Sequence, residues 1–420
     1  FNQGHQVQIT GYGQYASDDT DFSVCYLDPL TGQPGPGGGV FFSRELRELY
    51  LENGRDVGAT FAAAQSDPDF ANRYATLLSA NAPFCAGSGL DIREERYDLE
   101  LQDTLHLGEG ARLVSGINLR HDRASSDSYL SGTYDNVSYR AFGNLAVDLL
   151  RPVTLNLGGY WERDSISGEH FSPRVGLNWR PAPGHSFRYV FSKAVRTPDI
   201  YEDQALTNIR ARELNAPFSS NTEALLGWAP AYFFITQTSP GTLKPERIRS
   251  WELGYYGQFY GVELDVRYFQ EELTELLSHA LNPFEFEPNN EGWVDHQGTE
   301  AQLSWRPGFD HLLRLTGAHI HTRSNKKTEG RLAARDSASA LWAWQLGDHW
   351  GLSSAYYLAS DYNDNMFERL DLQVRFRHRL GNSELEWKGV VQHALNKEPQ
   401  VFEENRYQED RMWLGLAVRI

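Results

Sequence analysis

The side chains that could bind a metal ion are three histidines in the last third of the chain. His319 and His321 are two positions apart, so both would lie on one face of a strand, and His296 lies nearby in sequence. A pair with this spacing can chelate a metal, and imidazole suits zinc, copper or iron. Because no third ligand is evident, we expect polar histidines of a loop or an aqueous interior, with no bound metal or cofactor.

No enzyme motif accompanies these histidines. The sequence contains no Gly-rich phosphate loop, no nucleophile elbow and no His–Glu zinc motif. A formal net charge of −17 also argues against nucleic acid as a partner. We therefore expect a protein that is not an enzyme.

The two cysteines are the other reactive side chains. Cys25 and Cys85 lie far apart in a turn-rich region. An even pair of this kind favours one disulfide in an oxidising compartment. The alternative is two unpaired, buried thiols.

Alternation of apolar and charged residues is the dominant pattern of the chain. In 262–268, Val, Leu, Val and Tyr alternate with Glu, Asp and Arg, and 370–377 follows the same rule. A soluble core does not accept charges at every second position, but the aqueous interior of a membrane barrel does. Low mean hydropathy (−0.54) fits such strands, and the 13% of aromatic residues suits the girdles of a barrel.

Short turns alternate with longer polar segments. The short turns are 108–110, 151–152, 181–184, 260–261, 307–308, 347–348 and 381–382, and the longer segments lie near 20–90, 121–134, 162–170, 197–244, 271–291, 322–330, 360–365 and 395–406. This pattern predicts an all-β transmembrane antiparallel β-barrel of about sixteen strands over residues 1–420, with long extracellular loops and short periplasmic turns. The loop 20–90 should be a structured cap with helices at 44–53 and 67–78.

Four short stretches carry a resemblance to a known family. They are 172–179 (SPRVGLNW), 192–198 (SKAVRTP), 243–246 (LKPE) and 251–254 (WELG). In this order and spacing they resemble the TonB-dependent outer-membrane receptors. The resemblance implies the last sixteen of about 22 strands, with a plug and six strands upstream of a chain that begins in mid-sequence. One departure is Ile420, where the family usually ends in an aromatic residue.

The resemblance also implies a function. Such receptors lie in the bacterial outer membrane, bind a scarce nutrient such as an iron–siderophore, and import it with energy that the TonB complex delivers through the plug. The expected partners are therefore outer-membrane lipid, TonB and a small nutrient. A passive substrate-specific porin of sixteen strands is the alternative. An outer-membrane enzyme with Ser, His and an acid at the barrel rim is a second one.

Candidate site residues follow from the resemblance. Tyr201, Trp228, Tyr232 and Phe233 lie on the loop 197–244 and could contact a ligand. Alternatively, these aromatic side chains only pack the loops or lie at the membrane interface.

Four charged residues lie within the family-like stretches: Arg174, Arg196, Glu246 and Glu252. We expect them to face the plug or to form ion pairs between strands. Alternation places Arg174 and Glu252 on the face that lines the interior. The alternative is a solvated charge with no partner.

Overall fold

The computed structural model describes most of the chain. The described residues are 4–26, 40–41, 49, 52–53, 56–68, 72, 84–207, 209–210, 232–237, 239–278, 285–286, 288–326, 333–362, 365–381, 383–396 and 409–419. None of the helices in this part is long and apolar enough to cross a membrane.

Twenty strands and two helices are defined within the described residues. In the first half they are β1 (His5–Tyr26), β2 (Val40–Phe41), α1 (Val57–Gln65), β3 (Phe84–His106), β4 (Ala111–Ser126), β5 (Gly132–Leu150), β6 (Val153–Asp164), β7 (Gly168–Ala182), β8 (His185–Arg196), α2 (Ile200–Gln204) and β9 (Ile209–Arg210). In the second half they are β10 (Tyr232–Gln237), β11 (Glu246–Phe259), β12 (Val262–Ser278), β13 (Glu285–Phe286), β14 (Asn289–Trp305), β15 (His311–Ser324), β16 (Asp336–Leu346), β17 (Trp350–Tyr362), β18 (Asn365–Leu380), β19 (Ser383–Ala394) and β20 (Arg411–Arg419).

Sixteen of these strands form one sheet. Its order is β1, β3 to β8, β11, β12 and β14 to β20, so each strand pairs with the next long strand in the chain. Each of these pairings is antiparallel, as in the register of β11 with β8 and β12. The predicted all-β architecture of about sixteen antiparallel strands is confirmed.

The sheet has one apolar and one polar face. On β18, Leu372 and Val374 are 47% and 45% exposed, so they lie outside any buried core. The alternate residue Arg375 points to the other face, where it donates to Gln345 across β17 at 2.8 Å. Large apolar side chains are exposed in this way along nearly every strand. Lipid is the environment that makes such exposure favourable.

Aromatic rings concentrate on the apolar face close to the short turns. Trp179 stacks on Phe187 with ring centroids 5.4 Å apart, at the turn between β7 and β8. Trp350 packs on Phe376 at 4.6 Å, near the turn between β18 and β19. Gly184 closes the first of these turns at φ +79°, a conformation that other residues rarely adopt. These rings have the position of an interfacial girdle.

Three segments predicted as loops are largely strand. The predicted segments were 121–134, 162–170 and 360–365. The connections between the strands there are only 127–131, 165–167 and 363–364. Backbone pairing continues after the outward side chains become polar, as at His121, which contacts Asp135 across β4 and β5 at 2.9 Å. Polarity therefore marks the end of the apolar band and does not mark the end of the strand.

The long connection after β1 has helical residues in both predicted stretches. Residues 49 and 52 are helical in 44–53 and residues 68 and 72 in 67–78, and most of those stretches lies outside the described residues. The helix α1 lies between them. Asp56 caps α1 by accepting from the Ala59 backbone at 2.8 Å. Cys25 and Cys85 are directly opposite each other where β1 and β3 leave the sheet, and Cys85 is disulfide-bonded.

Short strands join three of the long connections into a second sheet. Its central strand is β10, which pairs antiparallel with β2 and β9 and parallel with β13. We call these four strands the cap sheet. The cap sheet ties the connections after β1, β8 and β12 to one another at the end of the barrel with the long loops.

Candidate ligand-binding site

The connection after β8 begins with an arginine that binds two other elements. Arg196, the last residue of β8, forms an ion pair with Glu246 at the start of β11. Its guanidinium also donates to both carboxylate oxygens of Glu202 on α2 at 3.0 Å. Asp199 and Glu202 form a capping box at the start of α2. Arg196 therefore fixes the direction in which the chain leaves the sheet.

The segment that follows folds back over the polar face of the sheet. Ile200 is 8% exposed and packs with Ala124 of β4 and with Leu130, which is fully buried in the turn after β4. The Leu206 backbone donates to the Tyr129 carbonyl at 2.9 Å. We call residues 197–207 the inward segment. It reaches from β8 across to the turn between β4 and β5.

A cavity of about 340 Å³ lies between the inward segment and the sheet. The polar faces of β3, β4, β5 and β6 form one wall, and residues 197–201 form the other. Four arginines of the sheet line it, and three of them, Arg96, Arg120 and Arg140, lie on the polar face. Tyr201 lines it from the inward segment. Cationic groups from three strands, acidic groups and one aromatic ring of the inward segment converge here.

Each of the three arginines on the polar face has a carboxylate partner. Asp122 accepts from Arg96 at 2.5 Å and from Arg120 at 2.7 Å, so a single carboxylate serves two cations. Arg140 donates to Glu162 of β6 at 2.6 Å. The pairs hold the guanidinium groups in place and keep the wall polar without a large net charge. A ligand can compete for the donors that these pairs leave over.

Asp164 lines the same cavity but has a structural role. It is buried and accepts from Asn136 at 2.8 Å, and from the Ile166 and Ser167 backbone at 2.9 Å. These bonds satisfy the carboxylate and close the turn between β6 and β7. Asp164 therefore shapes the floor of the site and is not free to bind a ligand.

Tyr201 is the one predicted ligand contact that the structure places on the cavity. Burial raises the pKa of its hydroxyl to about 12, the Tyr129 ring nearby adds to the rise, and a hydrogen bond with Thr207 opposes it. The Tyr129 and Tyr201 rings meet edge to face at 5.9 Å. At neutral pH Tyr201 is thus a neutral side chain that also packs the inward segment.

The described part of the chain does not include the side chains of the other three predicted aromatic contacts. Trp228 lies outside the described residues. Tyr232 and Phe233 begin β10, so their backbones belong to the cap sheet, and their side chains lie outside the described part of the chain. Nothing in the described geometry brings them to the cavity.

The four predicted charges lie on the polar face in different surroundings. Glu252 accepts from Arg188 of β8 at 2.9 Å and lies 3.5 Å from Arg267 of β12, so it bridges three strands. Arg196 and Glu246 pair with each other, as described above. Arg174 lies opposite Gly158 and Ser192, and it forms no ion pair with any described residue.

The histidines do not converge. His319 and His321 lie on the outward face of β15, whereas His296 lies on the polar face of β14, where it contacts Thr322 at 2.9 Å. His319 contacts Asp336 at 2.6 Å. The described residues contain no group of three or more His, Cys, Asp or Glu side chains arranged to hold a metal.

Sequence reasoning missed the arginines of the cavity wall. Alternation does place Arg96, Arg120 and Arg140 on the polar face, but dozens of polar residues share that property. The feature that distinguishes them is the inward segment, which covers this part of the face and no other described part. Its position depends on contacts between residues far apart in the sequence.

The comparisons with known proteins agree with this architecture. The family model "TonB dependent receptor-like, beta-barrel" matches residues 2–386. The chain belongs to this family, which is one of outer-membrane barrels. None of the curated proteins matches the chain.

Solved structures with the same fold are receptors and transporters. The siderophore receptor PirA from Pseudomonas aeruginosa aligns with a TM-score of 0.60 at 13% identity, over 80% of this chain and 61% of that one. A variant of the ferric enterobactin receptor PfeA from Pseudomonas aeruginosa, in complex with enterobactin, gives 0.55 at 14% identity, over 76% and 55%. The FrpB iron transporter from Neisseria meningitidis gives 0.52 at 15% identity, over 74% and 55%. The chain thus spans about three fifths of the length of these proteins or less.

Proposed function

We propose that the protein is part of a receptor that binds an iron–siderophore or a similar metal chelate in the bacterial outer membrane and imports it with energy from TonB. The observation that carries the proposal is the cavity beneath the inward segment, lined by four arginines and Tyr201. The names of the solved neighbours, which are siderophore receptors and an iron transporter, support the same substrate class.

The side chains of this site are suited to binding a chelate and not to breaking a bond in it. Guanidinium groups with fixed orientation donate to carboxylate, catecholate or hydroxamate oxygens of a chelate. Aromatic rings add flat apolar contact area. The import step requires the plug and the TonB complex, which therefore belong to the proposal.

Binding is tested with the full-length receptor and a panel of ferric siderophores. Arg120→Gln should weaken binding of the cognate chelate by about tenfold, because it removes a charged donor from the wall. Arg314→Gln is the matched control, since Arg314 lies on the same polar face near a short turn and donates to Ser304 at 3.2 Å. Equal affinity for wild type and the Arg120 variant would argue against the site.

Uptake separates the receptor from the passive porin. Import of the radiolabelled ferric chelate into cells should stop when the proton gradient is dissipated or TonB is deleted. A passive porin would continue to equilibrate its substrate under both conditions. Uptake that is unchanged by both treatments would therefore refute the TonB-powered mechanism.

A further inference from the structure

Basic residues gather on the outward face of β8 and β11, at the end with the long loops. Lys193 and Arg249 are directly opposite each other across the two strands, and Arg247 is the next outward residue on β11. The side chains of Arg247 and Arg249 are each 57% exposed. Lys193 is exposed as well, and it forms no ion pair with any described residue.

The neighbouring outward residues and the length of β11 show where these cations lie relative to the membrane. Phe191 and Trp251 form the next outward pair toward the membrane, followed by Tyr189 and Leu253. From Arg249 to Phe259 at the short turn, β11 runs for 259 − 249 = 10 residues. At about 3.3 Å per residue and a tilt of roughly 40°, this length spans about 25 Å of membrane thickness. That distance equals the apolar band, so Lys193 and Arg249 lie where the lipid headgroups begin.

The local charge is opposite to that of the whole chain. Four cations and two carboxylates form the group, which we call the basic cluster: Lys193, Lys244, Arg247, Arg249, Glu272 and Glu275. Its formal charge is 4 − 2 = +2, in a protein of charge −17. Glu272 pairs with Arg249. Glu275 is shared between Arg247 at 2.9 Å and Lys244 at 3.6 Å, so the carboxylates do not neutralise the cluster.

We propose that the basic cluster binds a phosphate group of the phosphorylated glycolipid in the outer leaflet. This inference rests on the outer-membrane placement in the proposed function. Arginine and lysine are the side chains that bind phosphate, and a basic residue at the membrane surface strengthens binding to anionic lipid by about fivefold. Phe191 and Trp251 lie directly below, where they contact the acyl chains and hold the headgroup at the level of the cations.

The test uses the purified full-length receptor and two probes, lipid A with its phosphates and the same lipid after dephosphorylation. Wild type should bind the phosphorylated probe more tightly. The double variant Lys193→Gln/Arg249→Gln should lose about 25-fold in affinity for it, because two cations of about fivefold each are removed. Equal binding of the two probes by wild type would overturn the inference.

Arg151→Gln/Arg323→Gln is the matched control, with the same change in total charge. Arg151 lies in a short turn at the opposite membrane surface. Arg323 lies on the outward face of β15, in line with Arg249, and pairs with Asp295 at 3.2 Å. Arg249 pairs with Glu272 in the same way but has Lys193 directly opposite it as a second cation. The control should bind the phosphorylated probe like wild type. A similar loss in both double variants would mean a general charge effect and would overturn the site.

A variant that removes a carboxylate tests the basic cluster even if the double variant does not fold. Glu272→Gln frees Arg249 and should tighten binding of phosphorylated lipid A by several fold. Unchanged affinity would count against the cluster. If inorganic phosphate competes as effectively as lipid A, the cluster is a simple anion site and the inference is overturned.

Chelate binding by the double variant should remain normal, so a failure of this inference is distinguishable from a failure of the proposed function.

Discussion

The Tyr201 side chain contributes both a ring that packs the inward segment and a hydroxyl group beside the ligand cavity. It lies on the ligand cavity, packs edge to face on Tyr129, and its pKa is raised to about 12 by burial. In the unfolded chain a tyrosine has a pKa of about 10. The folded state therefore holds the proton more tightly, and the neutral hydroxyl is the form that the docked inward segment accepts.

Docking of the inward segment should consequently weaken as the pH becomes alkaline. The contribution of Tyr201 is fully present below pH ~10 and is lost as the pH rises through ~12, with a magnitude on the order of 1 kcal/mol after a discount for the partial exposure of the side chain. Proteolysis or hydrogen exchange of residues 197–207 across this pH range measures the effect. Tyr201→Phe keeps the ring and removes the titration. Tyr129, whose pKa burial also raises, titrates in both proteins, so the difference between the curves reports Tyr201 together with its coupling to Tyr129. Superimposable curves would contradict the assignment.

At the scale of the element, α2 is held more by its surroundings than by its own sequence. A helix of five residues is too short to be stable alone. Arg196 binds its Glu202, the capping box satisfies its first turn, and Ile200 inserts beside Leu130. The inward segment is therefore positioned by three contacts, two polar ones that share Glu202 and one apolar one.

The apolar contact should dominate the stability of the inward segment. Ile200→Ala should cost about 2–4 kcal/mol of local docking free energy, because the side chain is 8% exposed and its removal leaves a cavity. Ile117→Ala is a matched control, since Ile117 is 60% exposed on the outward face of β4. Hydrogen exchange of residues 199–207, together with chelate affinity, reports the effect. Equal changes in the two variants would exclude a specific packing role for Ile200.

At the scale of the whole molecule, the contrast between the two faces defines the barrel. Exposed apolar side chains cover the outward face, and ion pairs between strands cover the polar face. Aromatic rings lie close to the short turns on the outward face. Lipid stabilises the first arrangement and an aqueous interior stabilises the second.

Adjacent positions on β18 test this assignment directly. Leu372→Arg places a charge on the outward face near the middle of the strand and should destabilise the folded protein in lipid by about 2–4 kcal/mol. Gln373→Arg introduces the same side chain one residue later, on the polar face, and should be tolerated. Unfolding by denaturant in lipid vesicles measures both free energies. The membrane assignment fails if the two substitutions have the same cost.

The sequence alone determined the strands and their faces. Alternation is a local property. In 262–268 and 370–377 each side chain contacts either lipid or water, so the polarity of a residue shows which face of the strand its side chain lies on. The same argument placed Arg174 and Glu252 on the polar face. It misjudged strand ends such as β4 and β5, because hydrogen bonds of the backbone continue where side-chain polarity changes.

Only the tertiary structure decided where the cavity lies. The arginines of β3, β4 and β5 become a site because Ile200 and Tyr201 reach the turn after β4, some seventy residues earlier in the chain. Such a contact depends on how side-chain shapes fit once the sheet has formed, and no periodic pattern encodes it. The basic cluster likewise emerges only when β8 and β11, separated by a long connection, become neighbours in one sheet.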